Sequence, residues 1–110
     1  MSSIPISQAF QLLLLYDGAI HFALIARRKI EEEDHAGKGV YIGKVQAIVS
    51  ELTSSLDFSV APELCQELEQ LYLHITEQLT AASLEMKTEP IDLSVELLKT
   101  LREGWSQGSD

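Results

Sequence analysis

The densest apolar run in the chain is Leu12-Leu13-Leu14-Leu15-Tyr16, closed by Asp17-Gly18, and between Ala9 and Tyr16 only Gln11 is polar. A bundle helix needs apolar residues at about three positions in seven to bury one face. This segment therefore has apolar surface on more than one side, which predicts a helix surrounded by other helices, of its own fold or of a partner. The pattern places it over residues 7–34, with Ser7 as N-cap and a length of roughly 40 Å. Its end, Glu31-Glu32-Glu33-Asp34, puts negative charge where the helix dipole is already negative. The i,i+4 pairs Arg27–Glu31, Arg28–Glu32 and Lys29–Glu33 offset part of that, and Gly37-Lys38-Gly39 is expected to break the chain.

The second helix carries the cleanest pattern. Ile42, Val45, Val49, Leu52 and Leu56 recur at spacings of 3, 4, 3 and 4, a heptad seam suited to shallow-angle packing. Residues 57–62 connect to a third helix over 62–83, started by Pro62, with Leu64, Leu68, Leu71, Ile75, Leu79 and Ala82 on one face. A short turn then leads to a fourth helix over 90–105, with Ile91, Val95, Leu98, Arg102 and Trp105 on one stripe. Residues 106–110 read as a frayed tail. No period-2 run or hairpin signal competes. The expectation is an all-α, antiparallel four-helix bundle, one domain over residues 1–110 with its core in 7–106 and short flexible termini.

Composition narrows the function classes. The net charge of −9 is uneven: residues 1–48 are neutral, and residues 49–110 hold twelve acidic and three basic side chains. Such a surface repels phosphate backbones, which argues against nucleic acid. Cys65, the only cysteine, reads as a small buried apolar side chain and fits a reducing compartment. No secretory signal precedes the leucine run, and its apolar stretch is too short to insert in a membrane, so a cytoplasmic protein is expected. Catalytic and cofactor chemistry finds no support. A single Glu-x-x-His stands where a di-metal bundle needs two, His21 and His74 are isolated, and no phosphate-binding loop is present. No enzyme and no cofactor are expected.

With the helices laid out, several segments resemble the flagellin export chaperone family (FliS). Leu15-Tyr16-Asp17-Gly18 is similar to its first-helix signature, and Ala26 to Ile30 falls at its alanine-rich turn. Ile42-Gly43-Lys44-Val45-Gln46-Ala47-Ile48-Val49-Ser50-Glu51-Leu52 is similar to its Ile-x-Lys-Ala-Gln-x-Ile-Ile-x-Glu-Leu segment. Ser55-Leu56-Asp57 matches the end of that helix. Leu71-Tyr72-Leu73-His74-Ile75 and Leu101-Arg102-Glu103-Gly104-Trp105 resemble two later motifs. The chain departs from the family at its start, where six residues precede Ser7 and the Pro-x-Glu-Leu lead-in is replaced, and at Leu73-His74, where the family has Asp-Tyr.

The resemblance implies a cytoplasmic chaperone that binds the C-terminal helical region of flagellin, prevents premature polymerisation and presents it to the flagellar export apparatus. Helix-in-groove binding is the matching physical mode. The residues singled out as cargo contacts are Leu15, Tyr16, Ile42, Val45, Gln46 and Val49, with Tyr16 and Gln46 favoured for surface roles because their polar tips need partners if buried. Ordinary bundle core is the plainer reading of the same residues. A diverged adaptor, or a homodimer burying the same face, is the alternative function.

Overall fold

The computed structural model describes residues 4–108, with side chains described over 10–107. Four helices follow in chain order: α1 (Ile4–Glu31), α2 (His35–Ser54), α3 (Pro62–Glu85) and α4 (Glu89–Gly108). Each packs against its neighbours in sequence, and α4 closes the ring on α1, so the helices form an antiparallel four-helix bundle. The body measures 49 × 23 × 19 Å, and no strand occurs among the described residues.

The core is a set of heptad seams. Tyr16, Ala19, Ala23, Ala26 and Ile30 supply α1, while Ile42, Val45, Val49 and Leu52 supply α2 in the predicted register. Their 3,4 spacing keeps one stripe inward along each helix. The third seam differs from its prediction. Cys65, Leu68, Tyr72, Ile75, Leu79 and Ala82 are buried, whereas Leu64 is 50% exposed and Leu71 only partly covered. Both stripes have helical spacing and share four residues, and the one holding Tyr72 turns inward, where the tyrosine hydroxyl meets that of Tyr16. Within α1, the segment Phe10–Glu31 is apolar and long enough to cross a membrane by length and composition, and its small-residue stripe lies in the bundle centre.

The first connection corrects the expected break. The chain turns at Glu32–Asp34, and Gly37-Lys38-Gly39 lies inside α2. Glu33 adopts a left-handed φ of 58°. Its N–H donates to Ile30 O, and Asp34 N–H to Lys29 O, a Schellman closure that satisfies the last carbonyls of α1. The Asp34 side chain then accepts from Gly37 N at 2.9 Å and caps α2. Gly37 is required here, because a Cβ would lie 2.5 Å from Asp34 Oδ2. Of the predicted ion pairs, Arg27–Glu31 forms at 2.7 Å, and Lys29 turns instead to Glu32 and Asp34. α1 begins before Ser7, which is thus no N-cap; its side chain lies outside the described residues. α4 runs on through Ser106 and Gln107 to Gly108, where a frayed tail was expected.

Three further contacts fix the loops and the ends. In the α2–α3 connection, the Ser59 hydroxyl and amide donate to Asp57 and hold its carboxyl below the usual range. Between α1 and α4, Arg27 Nε donates to Asp92 at 2.7 Å, and Arg102 donates to both Asp17 oxygens at 2.5 and 3.2 Å.

The cap makes a paired prediction. Gly43 has open space around a built Cβ, so Gly43→Ala should stabilise by about 1 kcal/mol, roughly 4 °C in melting temperature. Gly37→Ala displaces the capping carboxylate and should gain nothing or lose. Equal gains at both positions in thermal melts would show that Asp34 does not cap α2.

Candidate functional site

The Leu15-Tyr16-Asp17-Gly18 segment joins α1 to all three neighbours. Tyr16 is fully buried; its hydroxyl shares a hydrogen bond with the Tyr72 hydroxyl of α3 and accepts from Trp105 Nε1 of α4 at 3.0 Å. Burial, followed by the bond to Tyr72, pushes the Tyr16 phenol well above its ordinary range, and burial also raises Tyr72. Among the described residues no buried side-chain polar atom lacks a partner. Asp17 holds Arg102 of α4, and Gly18 lets Ile48 of α2 approach, since a Cβ would lie 3.3 Å from Ile48 Cδ1. The motif read as a binding signature is therefore, in geometry, a bundle clamp.

The surface with room for another chain lies between α2 and α3. Two hydrogen-bonded struts cross it: Lys38 Nζ donates to Ser83 O at 3.0 Å, and Gln46 Nε2 donates to Thr76 O at 3.3 Å and Thr80 Oγ1 at 3.1 Å. Gln46 divides the channel. On one side a depression of about 490 Å3 is lined by Gln46, Val49, Ser50, Thr53, Ser54, Glu69, Gln70, Tyr72, Leu73 and Thr76. On the other, one of about 260 Å3 is lined by Gly39, Ile42, Gly43, Gln46, Thr80, Ser83 and Leu84. Gly39, Gly43, Ser50 and Ser54 mark one stripe of α2 by their spacing, and small residues there leave the backbone approachable. Leu73 and Leu84 are 52% and 80% exposed on the α3 wall. Glu69 is the single charged residue lining either depression. The channel length, about fifteen residues of α2, is roughly 22 Å.

The six residues singled out from sequence do not share one surface. Tyr16, Ile42, Val45 and Val49 are buried in the bundle core, which corrects their placement on an exposed face. Their heptad seam is the seam that holds α2 to the rest of the bundle, and the Tyr16 hydroxyl is satisfied internally. Ile42 and Val49 still reach the floor of the channel. Gln46 is half-buried and on the channel, as its amide required, but engaged with α3. Leu15 packs against the core and lines a separate cleft of about 410 Å3 with Gln11, Leu12, Glu51, Ser55 and Asp57. Sequence reasoning noted Leu73 only as a departure from the family pattern and missed Leu84, the other leucine of the α3 wall. Their signal was present as large apolar residues off the core seam.

The fold and the channel define a class, an all-α bundle with an open interhelical groove, and the comparisons specify which. Residues 5–109 match the family described as FliS, flagellar protein FliS. The chain is 29% identical over 94 residues to the flagellar secretion chaperone FliS of Campylobacter jejuni subsp. jejuni serotype O:6, covering 86% of this chain and 73% of that protein. It is 32% identical over 92 residues to the flagellar secretion chaperone FliSB of Pseudomonas aeruginosa, covering 84% and 73%. Over 102 residues it is 26% identical to the flagellar secretion chaperone FliS of Escherichia coli (strain K12), covering 92% and 75%. The chain belongs to the FliS family of flagellar secretion chaperones.

Burial gives two expected outcomes. Ile42→Asp places a carboxylate in the core and should abolish the helical circular dichroism signal rather than leave it near normal. Tyr16→Phe orphans the Trp105 indole and should lower stability in urea by about 1–3 kcal/mol. A folded, fully helical Ile42→Asp protein would return that residue to the surface.

Proposed function

We propose that this chain is a cytoplasmic export chaperone that holds a helix from the C-terminal region of flagellin in the α2–α3 channel, by non-covalent binding alone. The observation that carries the reading is the channel itself, in a member of a family of secretion chaperones: lined by one charged residue, Glu69, crossed by the Lys38 strut, floored by Ile42 and Val49, and walled by Leu73 and Leu84. Small residues along α2 allow a guest helix to approach closely, and its apolar anchors meet the leucines. Thr76, Thr80, Ser50, Thr53 and Gln70 supply hydrogen-bonding groups at the edge, which suits a guest with a polar uncharged flank. Gln46 is the residue best placed to exchange its α3 partners for the guest. Covering the guest's apolar face keeps it from assembling with its own kind, and leaves it unfolded enough for the flagellar export apparatus to take over.

Calorimetric titration of the purified protein with the last ~50 residues of flagellin from the same genome, long enough for two or more helices, tests this. Expected is tight binding with a large negative heat-capacity change. Leu73→Asp and Ser50→Arg sit at exposed positions, so each should keep the helical signal and weaken binding by about tenfold or more. Absence of binding by the folded wild-type chain would remove flagellin as cargo; unchanged affinity in both variants would move the site off this channel.

A further inference from the structure

α3 borders a second groove, on the side away from α2. It measures about 310 Å3 and is lined by Leu64, Leu68, Thr100, Leu101, Gly104 and Trp105. Leu64 is half exposed, as is Leu93 further along α4 at 61%. Leu93, Leu97 and Leu101 follow at four-residue intervals and so continue one apolar stripe along this side of α4. Trp105 is tied by its Nε1 to the buried Tyr16 hydroxyl, which fixes the ring at the groove instead of leaving it free to turn away.

The rim of this groove is acidic. Glu67 lies three residues after Leu64, and Glu63 lies directly before Leu64, one turn ahead of Glu67. Glu96 and Glu103 lie four before and three after Thr100, so all four carboxylates flank the lining residues. All are exposed. Among the described residues no ion pair engages Glu63, Glu67 or Glu96, and no Lys or Arg lines the groove. The α2–α3 channel, with one carboxylate, has a different chemistry.

We propose that the α3–α4 groove is a second docking site, for a basic amphipathic helix of another protein. Its apolar face packs on Leu64, Leu101 and Trp105, and its Lys or Arg residues meet Glu63, Glu67 and Glu96. Charge complementarity selects this occupant: a second copy would bring an equally acidic rim, and like charges oppose that pairing.

The test uses the full chain and a Leu/Lys amphipathic peptide of about 14 residues, four helical turns, against a Leu/Glu peptide of the same pattern. Trp105 is the only tryptophan, so emission reports occupancy at the groove itself. The Leu/Lys peptide should shift it saturably and bind about tenfold more weakly when NaCl is raised from about 0.05 to 0.5 M; the Leu/Glu peptide should leave it unchanged. Leu64→Asp and Glu67→Lys, both at exposed positions, should each weaken binding about tenfold or more with helicity retained, while Leu73→Asp leaves it intact. No emission change, or equal response to both peptides, overturns the proposal. Loss of the flagellin peptide on Leu64→Asp overturns it as well, by making this groove the cargo site. Failure of the flagellin titration alone leaves it standing.

Discussion

A buried tyrosine hydroxyl demands a partner at a fixed place, and the bundle is organised around that demand at Tyr16. Apolar seams tolerate small slides of one helix along another, because one leucine substitutes for the next turn's leucine at modest cost. A hydroxyl that must meet both Tyr72 and the Trp105 indole has no such freedom. The contact therefore fixes the axial register of α1, α3 and α4 together. The flanking residues complete the set, with Asp17 on Arg102 and Gly18 against Ile48. Four consecutive helical residues sweep about 300° of circumference, so one short segment can address three neighbouring helices at once.

That arrangement explains the excess of apolar surface on α1. Below the clamp its inward stripe is Ala19, Ala23 and Ala26, small residues that let α1 sit close to its neighbours. At such short range the flanking Leu12, Leu15, Ile20 and Phe22 also come into packing distance of the core. The long apolar run is thus consumed on three sides by the protein's own helices, and Phe10, Leu14 and Leu24 are what is left over.

Helix number, order and the α2 seam were legible because heptad spacing is a property of the sequence alone. Three features were not. The phase of α3 depends on whether Leu64 and Leu71 or Cys65 and Tyr72 face inward, two pairs with the same spacing, and the choice rests on a partner 56 residues away. The break between α1 and α2 was read from glycines, whereas the carboxylate of Asp34 and the left-handed Glu33 make it, and Gly37 serves the cap from within the helix. The same limit governs the site. Ile42, Val45 and Val49 look equally apolar in a seam or in a groove, so periodicity located the helix that borders the channel without separating its floor from its wall. Gln46 was legible as a residue needing a polar partner, and the partner turned out to be α3.

The charge asymmetry of the chain acquires a location once α3 is seen to have two lateral faces. Its α2 side is walled by Thr76, Thr80 and Ser83 around Leu73 and Leu84, with Glu69 in the lining and the Lys38 ammonium bound to Ser83 O. Its α4 side carries Glu63 and Glu67 beside Leu64. The acidic half of the sequence thus puts carboxylates beside both faces of α3, with Glu69 in the lining of the α2–α3 channel and Glu63 and Glu67 beside the apolar lining of the other groove. Surface charge contributes little to holding such a bundle together, and like carboxylates i,i+4 on one helix, as at Glu63 and Glu67, oppose it slightly. A channel with few charges accepts a guest mainly by shape and apolar contact, whereas carboxylates flanking a groove steer a basic guest from about a Debye length away. The two grooves lie on opposite sides of α3 and share no lining residue, so an occupant of one leaves the other uncovered.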